Sequence, residues 1–281
     1  MGKIIAVTNQ KGGVGKTTTS VNLAASLCAT KRRVLLVDLD PQGNATMGSG
    51  VNKYDIEQSA YELLIEDCPI DKVIIEKAAG YFDLIPSNID LTAAEVELIS
   101  LSCKEQRLRF QLAKVKSNYD YIIIDCPPSL SMLTLNALVA ADSVIIPMQC
   151  EYYSLEGLSA LIDTIKKLTG IINPDLKIEG LLRTMYDPRN SLTNDVSGQL
   201  LAHFGDKVFR TTIPRNVRLA EAPSHGIPVL EYDSKSRGAI AYLALAGEMI
   251  RKDEKKQKLA NSSKPSRSPE SLKPELSTSS T

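Results

Sequence analysis

Gln10-Lys11-Gly12-Gly13-Val14-Gly15-Lys16-Thr17-Thr18 is the segment of this chain that most constrains its fold. An apolar run at residues 4–7 precedes it and a helix-like stretch at 17–27 follows, which is the context of a phosphate-binding loop. Glycines let backbone N–H groups point inward at a phosphate, and the start of the helix adds partial positive charge. In such a loop Lys16 reaches the phosphates and the Thr17 hydroxyl is a ligand to Mg²⁺. We therefore predict that residues 11–18 hold a nucleotide.

The loop departs from the general Walker A pattern in two ways. The pattern begins with a glycine where this chain has Gln10, and the chain adds a second lysine, Lys11. A phosphate bound to the same chain does not need Lys11, which would more usefully reach a nucleotide from outside, across an interface. The alternative is a glycine-rich turn with two solvated lysines, and the flanking strand and helix argue against it.

Two acidic segments follow apolar runs that fit buried parallel strands. Residues 34–37 lead into Asp38 and Asp40, and residues 121–124 lead into Asp125. Ligands of open α/β sheets bind at the carboxyl ends of the strands, where these aspartates fall. Asp125 could hold Mg²⁺ through its water shell, and Asp38 or Asp40 could orient a water at the γ-phosphate. A helix cap or a turn is the alternative for either segment alone.

Strand and helix patterns alternate along the chain. They predict an α/β fold with a mostly parallel, doubly wound sheet and helices on both faces, in a domain spanning residues 1–258. Residues 91–115 read as one long helix, and residues 237–250 as an amphipathic helix with Ile240, Leu243, Gly247 and Ile250 on one stripe. Residues 252–258 extend that helix with charged side chains. Residues 259–281, rich in serine, proline and lysine, are predicted to be a disordered tail, with a weak basic tether as the alternative.

Composition favours an intracellular protein. No secretory segment or apolar stretch of membrane-spanning length is present, and the five cysteines are too widely spaced for a disulfide framework or zinc site. Lysine and arginine balance aspartate and glutamate, but the chain from Arg251 onward carries a surplus of positive charge. The body is therefore acidic, and a nucleic-acid surface on it would have to be a local patch.

The lysine-doubled loop, Asp38-Leu39-Asp40-Pro41-Gln42-Gly43-Asn44 and Asp125-Cys126-Pro127-Pro128 resemble the deviant Walker A ATPases. Within this group the chain is similar to the ParA/Soj chromosome- and plasmid-partition ATPases. Residues 180–189 and 213–226 match later motifs of that family, and the likeness covers roughly residues 2–250.

The resemblance implies an ATPase that uses ATP and Mg²⁺. Asp40 would activate the attacking water with support from Asp38, and Lys11 would reach the partner's phosphates in an ATP-bound homodimer. Arg189 and Arg218 would contact double-stranded DNA without sequence preference. A ParB-type partner would stimulate hydrolysis, and the protein would be cytoplasmic and nucleoid-associated, away from the membrane.

The nucleotide base should lie near Met185 and Pro214, although both could be ordinary core and turn residues. Three other protein classes are alternatives. A MinD-like membrane-cycling ATPase would end in an amphipathic helix, and the end of this chain has no apolar face. An iron–sulfur reductase would need cysteine ligands, for which Cys103 and Cys126 are the candidates. A nucleotide sensor without catalysis is the third.

Overall fold

A computed structural model describes residues 2–151 and 154–262, and the described residues form a seven-stranded sheet. The strand order is β3-β4-β2-β5-β1-β6-β7, and only β3 runs antiparallel to its neighbour. The predicted mostly parallel α/β fold is thus confirmed, with an antiparallel edge. The strands are β1 (Lys3–Val7), β2 (Val34–Asp38), β3 (Ile75–Ala78), β4 (Phe82–Ile85), β5 (Tyr121–Asp125), β6 (Ser143–Gln149) and β7 (Lys177–Thr184).

Helices connect the strands and cover the sheet. Strands β2 and β5 are buried along their whole length, as their unbroken apolar sequences predict. The helices are α1 (Lys16–Ala29), α2 (Asn44–Met47), α3 (Ala60–Ile65), α4 (Ile70–Val73), α5 (Leu91–Ser100), α6 (Arg107–Val115), α7 (Met132–Ala140), α8 (Ser154–Ile171), α9 (Ser191–Phe204), α10 (Val217–Glu221), α11 (Val229–Tyr232) and α12 (Arg237–Ser262).

The prediction of one long helix at residues 91–115 is wrong. The chain breaks between α5 and α6, where Cys103 has a positive φ of 52°. Asn136 of α7 stabilises the break: its amide donates to the Lys104 carbonyl at 2.7 Å, and its oxygen accepts from the Leu108 backbone N–H at 3.2 Å. A contact from a later helix therefore decides this boundary, which helical periodicity alone could not show.

The helix predicted at residues 237–250 exists, but its predicted apolar stripe is out of phase. Ile240 is 56% exposed, whereas Ala239 and Tyr242 are buried. The Tyr242 hydroxyl lies 3.1 Å from the Thr19 hydroxyl, so the buried tyrosine has a polar partner and faces inward. The predicted charged extension is helical, and α12 continues to Ser262.

Four residues of the predicted tail, 259–262, therefore belong to α12, and the rest of the tail lies outside the described residues. The molecule has two structural units, with the boundary between Glu248 and Met249. The described part of the second unit, from Met249 to Ser262, is the end of this helix. None of the helices in the described ranges combines the length and apolar character needed to cross a membrane.

Candidate active site at the carboxyl edge of the sheet

The predicted phosphate loop joins the end of β1 to the start of α1. Gly13 and Gly15 have φ values of 72° and 86°, a conformation that side chains disfavour. A Cβ at Gly12 or Gly13 would meet open space, so the loop faces a cavity and not protein. That cavity has a volume of about 390 Å³ and is lined by Gly12, Gly13, Gly15, Lys16, Thr17, Thr18, Asp40, Gln42, Asn44, Pro128 and Met185.

Strands β6 and β7 hold the loop through two side chains whose contacts the sequence did not show. The Thr184 hydroxyl donates to the Val14 carbonyl at 2.8 Å, and the Gln149 amide donates to the Gly13 carbonyl at 3.0 Å. Thr184 is buried, so its hydrogen bond is shielded from water. These two hydrogen bonds fix the Gly13 and Val14 carbonyls on the side of β6 and β7.

Lys16 is a buried cation at the start of α1. Burial lowers the pKa of its ammonium group, and the nearby carboxylates of Asp125 and Asp40 oppose that shift. Its Nζ lies 3.3 Å from the Lys11 carbonyl, a long and weak hydrogen bond. A phosphate at this position would supply the negative charge that a desolvated lysine requires.

Asp38 and Asp125 lie side by side as direct partners on neighbouring strands β2 and β5. Burial, and then the charge of Asp38, raise the pKa of the Asp125 carboxyl. Its Oδ1 accepts a hydrogen bond of 2.8 Å from Ser20, while its buried Oδ2 has no hydrogen-bond partner. An Mg²⁺ ion with its water shell would satisfy that oxygen and neutralise the pair, so Thr17 and Asp125 fit the predicted metal site.

Asp38 organises the segment that carries Asp40. Its Oδ2 accepts from both the backbone N–H and the hydroxyl of Thr46, each at 2.8 Å. Its Oδ1 accepts from the Asp40 backbone N–H at 3.1 Å. The Asp40 side chain lines the cavity, while Asp38 stays beneath it as a positioning group. The assignment of Asp40 to water activation stays a prediction.

Lys11 lies outside this cavity. Its Nζ is 2.5 Å from the Glu151 Oε2, and its side chain is 44% exposed. Glu151 is 140 positions away in sequence, so this partner could not be predicted. The chain's own phosphate cradle is therefore built without Lys11, as the loop pattern suggested.

A second cavity, of about 280 Å³, adjoins the loop. Met185 and Pro214 both line it, so the structure brings together the two residues predicted to contact the base. The Tyr186 backbone N–H donates to the Ile213 carbonyl at 2.9 Å and ties the two segments to each other. Arg215 also lines this cavity, which a planar base would fit.

Arg189 and Arg218 are exposed, as a DNA contact requires, but each has an acidic partner that the sequence did not reveal. The Arg189 guanidinium makes two hydrogen bonds, of 2.9 and 2.8 Å, to Asp187, and it holds the pKa of that carboxyl down at about 2. Arg218 donates to Glu221 at 2.8 Å, and Asp233 lies 3.4 Å away. DNA phosphates would have to compete with these carboxylates.

The cysteines proposed for an iron–sulfur cluster are differently placed. Cys103 is exposed in the break between α5 and α6, whereas Cys126 is buried, and burial raises the pKa of its thiol. Within residues 2–151 and 154–262, no group of three or more histidine, cysteine, aspartate or glutamate side chains is arranged to hold a metal ion.

The fold and this site define a P-loop ATPase of the deviant Walker A type. A family model described as AAA domain matches residues 2–178. The chain is 57% identical over 249 residues to the sporulation initiation inhibitor protein Soj of Bacillus subtilis, and this match covers 89% of this chain and 98% of that protein. It is 52% identical over 253 residues to the chromosome partitioning protein ParA of Myxococcus xanthus, and this match covers 90% of this chain and 89% of that protein. The chain belongs to the ParA/Soj family of partition ATPases.

A solved structure agrees with the fold. The cobyrinic acid a,c-diamide synthase from Mycobacterium smegmatis with bound ADP and magnesium matches with a TM-score of 0.80 and 39% identity, covering 90% of this chain and 96% of that one. A synthase and partition proteins share this fold, so the functional assignment rests on the sequence relatives.

Proposed function

We propose that this protein is an ATP-switched, DNA-binding ATPase that partitions replicated chromosomes or plasmids. ATP with Mg²⁺ closes a homodimer, the dimer binds nucleoid DNA without sequence preference, and hydrolysis releases it. A ParB-type partner stimulates that hydrolysis. The family membership supports the ATPase and its partition role, and the bound ADP and magnesium of the Mycobacterium smegmatis structure support the choice of cofactor.

The position of Lys11 carries the dimer part of the proposal. Of the two loop lysines, only Lys16 lines the phosphate cavity, while Lys11 lies outside it and is paired with the exposed carboxylate of Glu151. An exposed ion pair of this kind contributes only about 0–1 kcal/mol, so Lys11 can exchange Glu151 for a partner's phosphate. A cation supplied in trans stabilises the charge that develops during phosphoryl transfer, which couples hydrolysis to dimerisation.

The two arginines carry the DNA part. Arg189 and Arg218 are exposed, and dimerisation would double each of them. Their pairing with carboxylates lowers the attraction of a single chain for DNA, which favours contact by a dimer. With four phosphate contacts per dimer, affinity should fall by about 100-fold between 50 and 200 mM salt.

The test measures binding of the full chain to random-sequence duplex DNA with ATP, ADP or no nucleotide, at both salt concentrations. We expect binding with ATP only. In Arg189→Ala the fall in DNA affinity between the two salt concentrations should be only about tenfold, because each dimer loses two contacts to DNA phosphates. Arg33→Ala is the matched control, because Arg33 is also exposed beside an aspartate but precedes β2 at the opposite edge of the sheet.

Lys11→Ala should bind ATP yet lose both hydrolysis and ATP-dependent DNA binding. Binding that is equal in all nucleotide states would remove the switch from the proposal. Absence of binding in every state would leave the ATPase in place and exclude DNA as its partner.

A further inference from the structure

Helix α5 presents an apolar face to solvent. Ile89, just before the helix, and Val96 and Ile99 within it are 65%, 72% and 60% exposed. Helical spacing places them on one side together with Ala93, which is also exposed. We call these four residues the α5 face. The exposed side chains of Thr92 and Ser100 lie on the same side, so the face is an apolar row with two hydroxyl groups in it. Exposed apolar side chains grouped in this way mark interaction sites more often than scattered ones do.

The rim of the α5 face is acidic. Glu95 flanks it on one side, and Asp90 and Glu97 flank it on the other. Glu97 accepts hydrogen bonds from the Tyr61 hydroxyl of α3, and Glu66 adds negative charge near the same tyrosine. Residues 78–103 contain no lysine or arginine at all. Lys104, beyond the end of the helix, is turned back to the Ile99 carbonyl.

We propose that the α5 face is a docking surface for a partner protein that presents an apolar row flanked by lysine and arginine, such as a basic amphipathic helix. Charge complementarity selects this occupant, because an acidic rim attracts a basic segment and repels nucleic acid and anionic lipid. A second copy of this chain would bring two acidic rims together, which is unfavourable. None of the four residues of the α5 face lines either cavity described above, so this contact is distinct from the nucleotide site.

The test uses two labelled synthetic peptides of about 18 residues, long enough to span the face as a helix. One has leucine on one side and lysine on the other, and the second has glutamate in place of lysine. Fluorescence anisotropy compares their affinities for the full-length wild type and for the Val96→Ser, Ile99→Ser double variant. Ile171→Ser is the matched control, since Ile171 is an exposed aliphatic residue on α8, 80% accessible.

The lysine peptide should bind the wild type and the control equally, and the double variant about tenfold more weakly. It should also slow amide exchange across residues 89–100, while the glutamate peptide should not bind. Val96 and Ile99 are exposed, so both variants should keep the wild-type melting temperature and ATPase rate. Equal affinity for the wild type and the double variant would refute the proposal. The proposal would also be refuted if the wild type formed a dimer without nucleotide and the double variant were a monomer, because the α5 face would then be a contact between copies of this chain.

Discussion

Asp125→Asn should stabilise the metal-free protein while abolishing its response to Mg²⁺. Asp125 is fully buried beside Asp38, and its pKa is raised by burial first and by Asp38 second. Below about pH 4, near the pKa of a carboxyl in the unfolded chain, a carboxyl with a raised folded-state pKa is protonated in both states and does not reduce the stability of the fold. The penalty grows as pH rises toward the folded-state pKa, because the folded protein must then hold the charge. The metal-free wild type should therefore lose stability relative to the variant between pH 5 and pH 8.

The geometry sets the size of this effect. Asp38 and Asp125 are direct partners on neighbouring strands, which lie about 5 Å apart. Two charges at that distance repel each other by about 3 kcal/mol at an effective dielectric constant of 20. The asparagine removes one charge and keeps an acceptor for the Ser20 hydroxyl. We expect a gain of about 2–3 kcal/mol at pH 8, or roughly 4–12 °C in Tm for a domain of this size.

Urea unfolding in EDTA at pH 5 and pH 8 measures the difference, with Asp175→Asn as a control because Asp175 is exposed. Mg²⁺ with ATP should reverse the order, since only the wild type has a carboxylate at residue 125 to hold the ion. A variant that is no more stable than the wild type at pH 8, or that shows the same difference at both pH values, would refute this account of the buried carboxylates.

Three further outcomes follow from the site and its support. Asp40→Ala should bind ATP and form the dimer but should not hydrolyse ATP, which an assay of phosphate release measures. Normal turnover in this variant would rule out a role of Asp40 in activating the attacking water. Thr184→Val removes the 2.8 Å hydrogen bond to the Val14 carbonyl and should weaken ADP binding, measured by calorimetry, by about 5- to 30-fold. Thr184→Ser keeps the hydroxyl and should restore the affinity for ADP. Gly180→Ala would press a methyl group into the buried Phe209 ring and should lower stability by about 1–3 kcal/mol in urea, whereas Gly198→Ala, where a Cβ has open space, should not.

The phosphate loop and the aspartates beside it could be predicted because their signals are local. Glycine spacing, an apolar strand before the loop and a helix after it lie within a short stretch of chain. Parallel strands then bring Asp38 and Asp125 to the same edge whatever the rest of the chain does. Met185 and Pro214 were predicted near the base because both follow strand ends at that edge, and the structure brings both to one cavity.

The partners of these residues could not be predicted, because they come from distant parts of the chain. Gln149 supports the loop from β6, and Glu151 pairs with Lys11 across 140 positions. The same limit explains the two errors in the helices. Asn136 of α7 caps the break at the position where the helix was predicted to continue through Cys103. Tyr242, which contacts the Thr19 hydroxyl, lies on the buried side of α12 in place of the predicted stripe.

The strand–loop–helix unit, the parallel α/β class and the family could be read from the chain alone, because each depends on residue types at fixed short spacings. The folded chain was needed to show which charges are paired, which carbonyls accept hydrogen bonds and which apolar side chains stay in water. Burial and hydrogen bonding depend on the whole set of neighbours. For that reason the free Oδ2 of Asp125, the carboxylates beside Arg189 and Arg218, and the α5 face became visible only when the chain was folded.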